Sequence, residues 1–305
     1  MKVAFAGSPL AAVPVLEALA ASAHEVGLVI SQPERPRGRV GTPLPTPVAE
    51  AAGRLGLPLI EPASINSADS LEALDEAGVG ALCVAAYGQI LREPLLSMRP
   101  CINVHYSVLP AYRGAAPVER AIMDGARETG VTIMQMEAGL DTGPVAAVRK
   151  VDIDPEDDAG SVTARLALIG GELLVEALNQ LEAGTLKFKA QPKSGVSLAP
   201  KIAIEDRMLD FGRPAVELAN QIRALSPHLG AYCYIDGQRF KIWRVNARAE
   251  PGVEGLSVDG ERLVVGCADG ALEVLELQPP NRSRMPAAAF LRGWRGALEL
   301  GRAAQ

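Results

Sequence analysis

The chain has 305 residues, 48% of them hydrophobic, 22% charged and 4% aromatic, with a mean hydropathy of +0.13. That balance fits a globular protein of about two domains and excludes a disordered or collagen-like chain. The net charge of −6 excludes coating of nucleic acid by bulk electrostatics, yet residues 1–200 carry 16 Lys and Arg against 23 Asp and Glu while residues 201–305 carry 14 against 13, so a local basic patch remains open in either part.

The N-terminal VAFAG and ALAASA have the outline of a signal peptide, but Pro9, Pro14 and Glu17 interrupt it, and a strand, loop and helix fit better. No apolar run reaches the roughly 20 residues of a membrane helix. Patterning predicts strands at 2–7 and 25–31, helices at 12–22 and 47–56, and a strand at 57–60. It continues with a helix at 67–77, strands at 80–87 and 101–105, a helix at 117–124 and a strand at 131–136. Strands alternating with helices predict βαβ units and a parallel sheet, hence an α/β domain of Rossmann-like architecture. A long helix over 161–181, apolar at a period close to 3.6, is expected to pack across that sheet.

Residues 188–200, FKAQPKSGVSLAP, lack periodicity and are rich in proline, serine, glycine and lysine, so they read as a linker. Beyond a helix at 214–225, short alternating runs are separated by Asp236-Gly237, Asp259-Gly260 and Asp269-Gly270, the dipeptide favoured in tight hairpins, which predicts a small antiparallel barrel. The expected boundaries are a first domain at 1–187, a linker at 188–204 and a barrel at 205–305.

Four cysteines, Cys83, Cys101, Cys233 and Cys267, never form a C-x-x-C pair and read as reduced cytosolic packing thiols. The segment Gln32–Pro47 is long for an αβ connection and carries Arg35, Arg37 and Arg39, so it is either a variable surface loop or a contact for an anionic partner. It is expected to be mobile in the absence of that partner.

No G-x-x-x-x-G-K-[ST], no H-E-x-x-H and no G-x-G-x-x-G occurs, which removes most support for nucleotide hydrolysis, zinc hydrolysis and dinucleotide chemistry. Asp141-Thr142-Gly143 occurs once, whereas an aspartic protease needs two such carboxylates. The strongest signal is Ile102-Asn103-Val104-His105. On a strand, Asn103 and His105 share one face, so an amide and a titratable imidazole enter one space at the carboxyl end of a parallel strand. Asp141, between Gly139 and Gly143, sits on a turn where a carboxylate could orient that ring and favour its protonated form. A strand-end histidine with a structural hydrogen bond, and an ordinary turn aspartate, are the plainer alternatives.

Together these residues resemble the formyltransferases that use 10-formyltetrahydrofolate, and among them those acting on methionyl-tRNA. The similarity lies in NVHYSVLPAYRGAAPVERAI, ETGVTIMQMEAGLDTG, GSP after the first strand, QPERPRGR, AAYGQIL, IRALSPHLGAY, RFKIW and LQPPNRSRMPAAAFLRG, and covers nearly the whole chain. It implies a Rossmann-like catalytic domain followed by an OB-like barrel that holds tRNA. It implies Asn103, His105 and Asp141 as the catalytic set. It places Ser107, Val108, Leu109 and Pro110 on the folate, and Gln89, Ile90, Leu91, Ala138, Gly139 and Leu140 around the pterin. Arg35, Arg37 and Arg39 would contact tRNA. The implied reaction is attack of the α-amino group of methionyl initiator tRNA on the N10-formyl carbon, in the cytoplasm, with no metal, no membrane and no obligate protein partner.

The chain departs from the family pattern at Tyr106, where a small residue is usual, and at Ala111, where a basic one is. It departs again at RVGTPL in the proline-rich loop, at Ser226-Pro227-His228-Leu229 and at Asn281-Arg282. None of these positions is in the implied catalytic set. A formyltransferase acting on glycinamide ribonucleotide or an amino-sugar nucleotide would share that set but not the basic loop or the barrel. A non-catalytic folate or RNA-binding module would not need the set, and an oxidoreductase would need the missing dinucleotide fingerprint.

Overall fold

The structure, a computed structural model, describes residues 1–36, 43–250, 252–294 and 298–301. The chain divides into two compact units. Unit 1 comprises Met1–Pro117, Glu128–Asp152 and Thr163–Pro200, and unit 2 comprises Val118–Arg127, Ile153–Val162 and Lys201–Gln305.

Unit 1 is built on a seven-stranded sheet. In chain order come β1 (Lys2–Gly7), α1 (Val13–Ala20), β2 (Glu25–Ile30), α2 (Pro47–Leu55), β3 (Leu59–Ile60), α3 (Ala68–Glu76), β4 (Ala81–Ala85), β5 (Cys101–His105), β6 (Glu128–Gln135), β7 (Val145–Asp152) and α4 (Ala159–Glu182). The sheet order is β7-β6-β5-β4-β1-β2-β3, with β1 to β5 parallel. The parallel strands follow the doubly wound order 3-2-1-4-5, which reverses between β1 and β4, and ligands of such folds bind beyond the carboxyl ends of the strands. The central strands β1 and β4 are apolar almost without interruption, as strands covered on both faces must be, and β5, buried throughout, carries Asn103 and His105 as its two polar residues.

Local chemistry sets the helix ends. Thr46 accepts a hydrogen bond from the Ala49 N–H at 3.0 Å, Pro47 occupies the first turn of α2, and Gly56 stops the helix at φ 66°. Ser67 accepts from the Ser70 N–H in the same way at α3. In α4, Gly170 faces Val104 of β5, and Gly171 lies against Pro14 and Ala18 beside α1, so the helix backbone approaches both where a Cβ would collide.

The expected parallel sheet is formed by β1 to β5; on its edge β6 runs antiparallel to β5, and the unpredicted β7 runs antiparallel to β6. Thr132 supplies a tether, donating its hydroxyl to the Ser107 carbonyl at 2.7 Å and accepting from the Leu109 N–H at 3.2 Å. His105 thereby stands opposite Thr132, and Asn103 opposite Met134. The stretch 188–200 is bonded onto unit 1 by its backbone. Lys189 and Val145 exchange two hydrogen bonds of 2.8 Å, and Leu198–Ala199 pairs in parallel with Arg113–Gly114.

Unit 2 carries α5 (Ala215–Ala224), β8 (Ala231–Ile235), β9 (Gln238–Arg248), β10 (Leu256–Asp259), β11 (Arg262–Gly266), β12 (Ala271–Gln278), α6 (Ala287–Gly293) and β13 (Leu300–Gly301). The strands form a curled antiparallel sheet in the order β10-β11-β12-β9-β8-β13, an OB-like, nearly closed barrel. The Asp236-Gly237 hairpin has both central residues at positive φ, as the type I′ turn requires. At the second turn Asp259 pairs with Arg262, so Gly260 and Glu261 make the turn and Asp259 belongs to the strand. At the third, Asp269 accepts from the Ala215 N–H at 2.8 Å and caps α5. Phe240, Leu218, Leu263 and Leu277 are fully buried, and Phe240 meets Phe290 edge to face at 5.6 Å and Trp294 at 6.1 Å.

All four cysteines are free, and burial pushes the Cys83 and Cys233 thiols up to about 12. No described helix is long and apolar enough to cross a membrane. Replacing Phe240 by alanine removes the centre of the aromatic cluster and should destabilise unit 2 by about 3–5 kcal/mol. Denaturant unfolding followed by tryptophan fluorescence measures this, and an unshifted midpoint would contradict the packing.

Candidate active site

Asn103 and His105 leave the same face of β5, as the pleat requires, and the turn between β6 and β7 carries Asp141 to them. Nδ1 of His105 lies 3.7 Å from Oδ2 of Asp141, with only 6% and 15% of the two side chains exposed. The other ring nitrogen, Nε2, lies 2.9 Å from the Tyr112 carbonyl oxygen. A carbonyl can only accept, so Nε2 carries a hydrogen and donates, and Nδ1 is the ring nitrogen left for Asp141 and a substrate.

Asp141 is fixed independently of the histidine. Its Oδ2 accepts the Gly114 N–H at 2.8 Å, and its own backbone is left-handed at φ 48°. Gly143, two residues on, is pressed against the Gln135 carbonyl where no Cβ fits. Asn103 differs from both. It is 9% exposed, and among the described residues its side-chain amide has no hydrogen-bond partner. The amide is not among the described polar atoms sealed from solvent, so it stays open to a substrate.

The segment after β5 holds this arrangement from behind. Ser107 is fully buried and donates to the Ala111 carbonyl at 2.6 Å, while Leu109 is 6% exposed. Val108 and Pro110 therefore keep the accessible surface of that loop. Gln89 spends its side chain on the neighbouring loop, accepting from the Ile65 N–H at 2.9 Å and donating to the Ala63 carbonyl at 3.3 Å. Leu91 is buried, whereas Ile90, Ala138, Gly139 and Leu140 are exposed. Arg35 and Pro36 pair with Pro43 and Leu44 in a two-residue ladder at the base of the basic loop. Arg37 and Arg39, with the expectation about that loop's mobility, lie outside the described residues.

Sequence reasoning missed the Tyr112 carbonyl, the Gly114 N–H and the Gln191 side chain. Two are backbone groups and carry no residue signature, and the third lies in a stretch whose composition reads as linker.

Unit 2 has a basic surface of its own. Lys241 Nζ and Arg284 Cζ lie over the Trp243 ring at 5.1 and 5.2 Å, and Arg239 lies over Tyr232 at 5.5 Å. Burial, with Arg207 and Arg239 nearby, lowers the Lys241 pKa. A cleft of about 650 Å³ in the same unit is lined by Arg127, Arg223, Arg244, Arg248 and Arg284, with Glu156 and Asp158 among them.

Tyr106 fits where a small side chain was expected because its ring is buried and its hydroxyl donates to the Ala11 carbonyl at 2.6 Å. Burial pushes the phenol above its ordinary value. Tyr106→Phe should lower stability by about 1–2 kcal/mol through the orphaned carbonyl and leave the polar set untouched. A thermal midpoint equal to that of the unsubstituted protein would show that the bond contributes nothing.

The chain matches the formyl transferase family over residues 1–178 and the formyl transferase C-terminal domain over residues 201–295. A methionyl-tRNA formyltransferase of Thermus thermophilus is 46% identical over 300 residues, covering 96% of each chain. One from Solibacter usitatus is 40% identical over 299 residues, covering 97% of this chain and 96% of the relative. Among solved structures, an N-formyltransferase from Helicobacter canadensis in complex with folinic acid and dTDP-3-aminofucose superposes with a TM-score of 0.66 at 19% identity, covering 90% of this chain and 98% of that one.

Proposed function

This chain belongs to the formyl transferase family, and from that premise we propose that it moves the formyl group of 10-formyltetrahydrofolate onto the α-amino group of methionyl initiator tRNA. The observation that carries the chemistry is the unpartnered Asn103 amide beside a histidine whose other nitrogen is already tied to a carbonyl. Relatives at 40% and 46% identity over nearly their full length, both named for methionyl-tRNA, favour tRNA over a small amine as acceptor.

When bound, the folate supplies the formyl carbon as electrophile and N10 as leaving group. Asn103, with an amide N–H free to donate, and His105, as imidazolium through Nδ1, stabilise the formyl oxygen as it takes on negative charge. Fixed donors in a dry site do this without reorganising during the reaction. Asp141 holds the imidazolium, accepts the proton that the amine sheds on attack, directly or through water, and returns it to N10 as the bond from the formyl carbon to N10 breaks and tetrahydrofolate leaves. The Gly114 N–H keeps that carboxylate in place.

The exposed apolar side chains of Ile90 and Leu140 are 68% and 61% accessible and offer surfaces on which a flat pterin can lie. Ala138, Gly139, Val108 and Pro110 complete that pocket in this reading. Ser107, Leu109, Gln89 and Leu91 shape it from behind. The reaction written this way requires no metal.

We assign tRNA to the basic loop with Arg35, Arg37 and Arg39, and to Lys241 of unit 2, because cations suit phosphates; Trp243, buried beneath Lys241, holds that cation in place, and Arg284 is paired with Glu276. On this reading residues 1–187 do the chemistry, 188–204 connect, and 205–305 hold tRNA. We read the free thiols as those of a cytoplasmic enzyme.

Transfer of labelled formyl to methionyl initiator tRNA, with glycinamide ribonucleotide and an amino-sugar nucleotide as competing acceptors, tests the assignment. His105→Ala and Asn103→Ala should each lower kcat by about 10²–10³-fold. Formylation of a small amine while the tRNA stays unmodified would overturn the assigned acceptor.

A further inference from the structure

Asp141 has a left-handed backbone, uncommon for a residue with a side chain although aspartate tolerates it better than most, and the Gly114 N–H holds its carboxylate alone. The turn itself is held by Gln191. Its Nε2 donates to the Asp141 carbonyl at 2.7 Å and to the Gly143 carbonyl at 2.8 Å. Its Oε1 accepts from Arg113, at 3.1 Å from Nε and 2.6 Å from Nη2. The amide can face only one way, since both Arg113 nitrogens must donate and both carbonyls must accept. Gln191 has no remaining rotational freedom, and a side chain of similar size with one polarity could not serve both ends.

The two ends reach the same atoms by different routes. Arg113 precedes Gly114, whose N–H holds the Asp141 carboxylate, while Gln191 holds the Asp141 backbone. Leu198–Ala199, farther along the same stretch as Gln191, pair with Arg113–Gly114. Gln191 therefore closes a loop of contacts around the catalytic carboxylate.

We infer that Gln191 is a positioning residue for formyl transfer, one that fixes where the Asp141 carboxylate stands relative to His105 by bracing the Asp141 turn against Arg113. This rests on the formyl-transfer reading above. It predicts an effect on the chemical step, through Asp141, that exceeds any effect on folate binding through the neighbouring Gly139 and Leu140.

The test is a steady-state comparison of Gln191→Met, Gln191→Glu, Asp141→Ala and the double variant Gln191→Met/Asp141→Ala, with circular dichroism as the check on folding. Gln191→Met should lower kcat by roughly 10–100-fold, as a displaced catalytic group does, while KM for the folate and for methionyl-tRNA stays within about twofold. Gln191→Glu keeps the acceptor for Arg113 but turns a carboxylate oxygen toward two carbonyls, and should lose kcat similarly. In the Asp141→Ala background the Gln191→Met change should add less than about twofold, because the two act as one unit.

Additive losses, an unchanged kcat, a rise in KM alone, or failure of both Gln191 variants to fold would each overturn the inference. If the unsubstituted protein transfers no formyl to methionyl-tRNA, the underlying reading falls and this inference with it. Activity in the unsubstituted protein with a fully active Gln191→Met removes the inference alone.

Discussion

A carboxylate, an imidazole and an amide stand together at the end of β5 because backbone groups hold two of them and leave the third unpaired. The Tyr112 carbonyl fixes His105 through Nε2, and the Gly114 N–H fixes Asp141 through Oδ2. Both anchors lie in the short segment that follows β5, so the strand presenting Asn103 and His105 also delivers the atoms that orient the site. In water such groups would be solvated and disordered. Buried here, each donor or acceptor already committed to the protein leaves one defined direction for a substrate.

Much of this was legible in the sequence. β1 ends where its apolar run ends, β5 ends at His105 as the spacing of Asn103 and His105 implied, and α2, α3 and α5 lie within a residue or two of the patterned stretches because capping residues and prolines mark them. Asn103 and His105 were readable as face partners because strand periodicity is strict. The direction of β6 was not readable, since an apolar strand looks the same whichever way it runs. Here β6 pairs antiparallel to β5, with Thr132 reaching Ser107 across 25 residues. Strand β7 escaped notice because it lies at the sheet edge, with half-buried and exposed residues in place of an apolar run.

The hairpins of unit 2 carry a similar lesson. Three Asp-Gly pairs announced turns, but only Asp236-Gly237 forms the two-residue turn that the dipeptide favours. The other two aspartates serve a strand and a helix cap, uses that the same two letters cannot distinguish. The stretch 188–200 shows the limit of composition as a guide. It is rich in proline, serine, glycine and lysine as linkers are, yet its backbone joins two ladders of unit 1 and its Gln191 meets Asp141.

The account depends on Asp141 acting in the chemical step as a charged group held beside His105, and a single-turnover measurement of formyl transfer by Asp141→Asn, with enzyme in saturating excess over methionyl-tRNA and the folate saturating, isolates that step from binding. The shape and the Gly114 contact survive this change while the charge is lost. The account predicts a rate lower by about 10²–10⁴-fold, the range for removal of a positioned acid–base group. A rate within a few-fold of the unsubstituted enzyme would show that the carboxylate is structural and that Asn103 and His105 work without it.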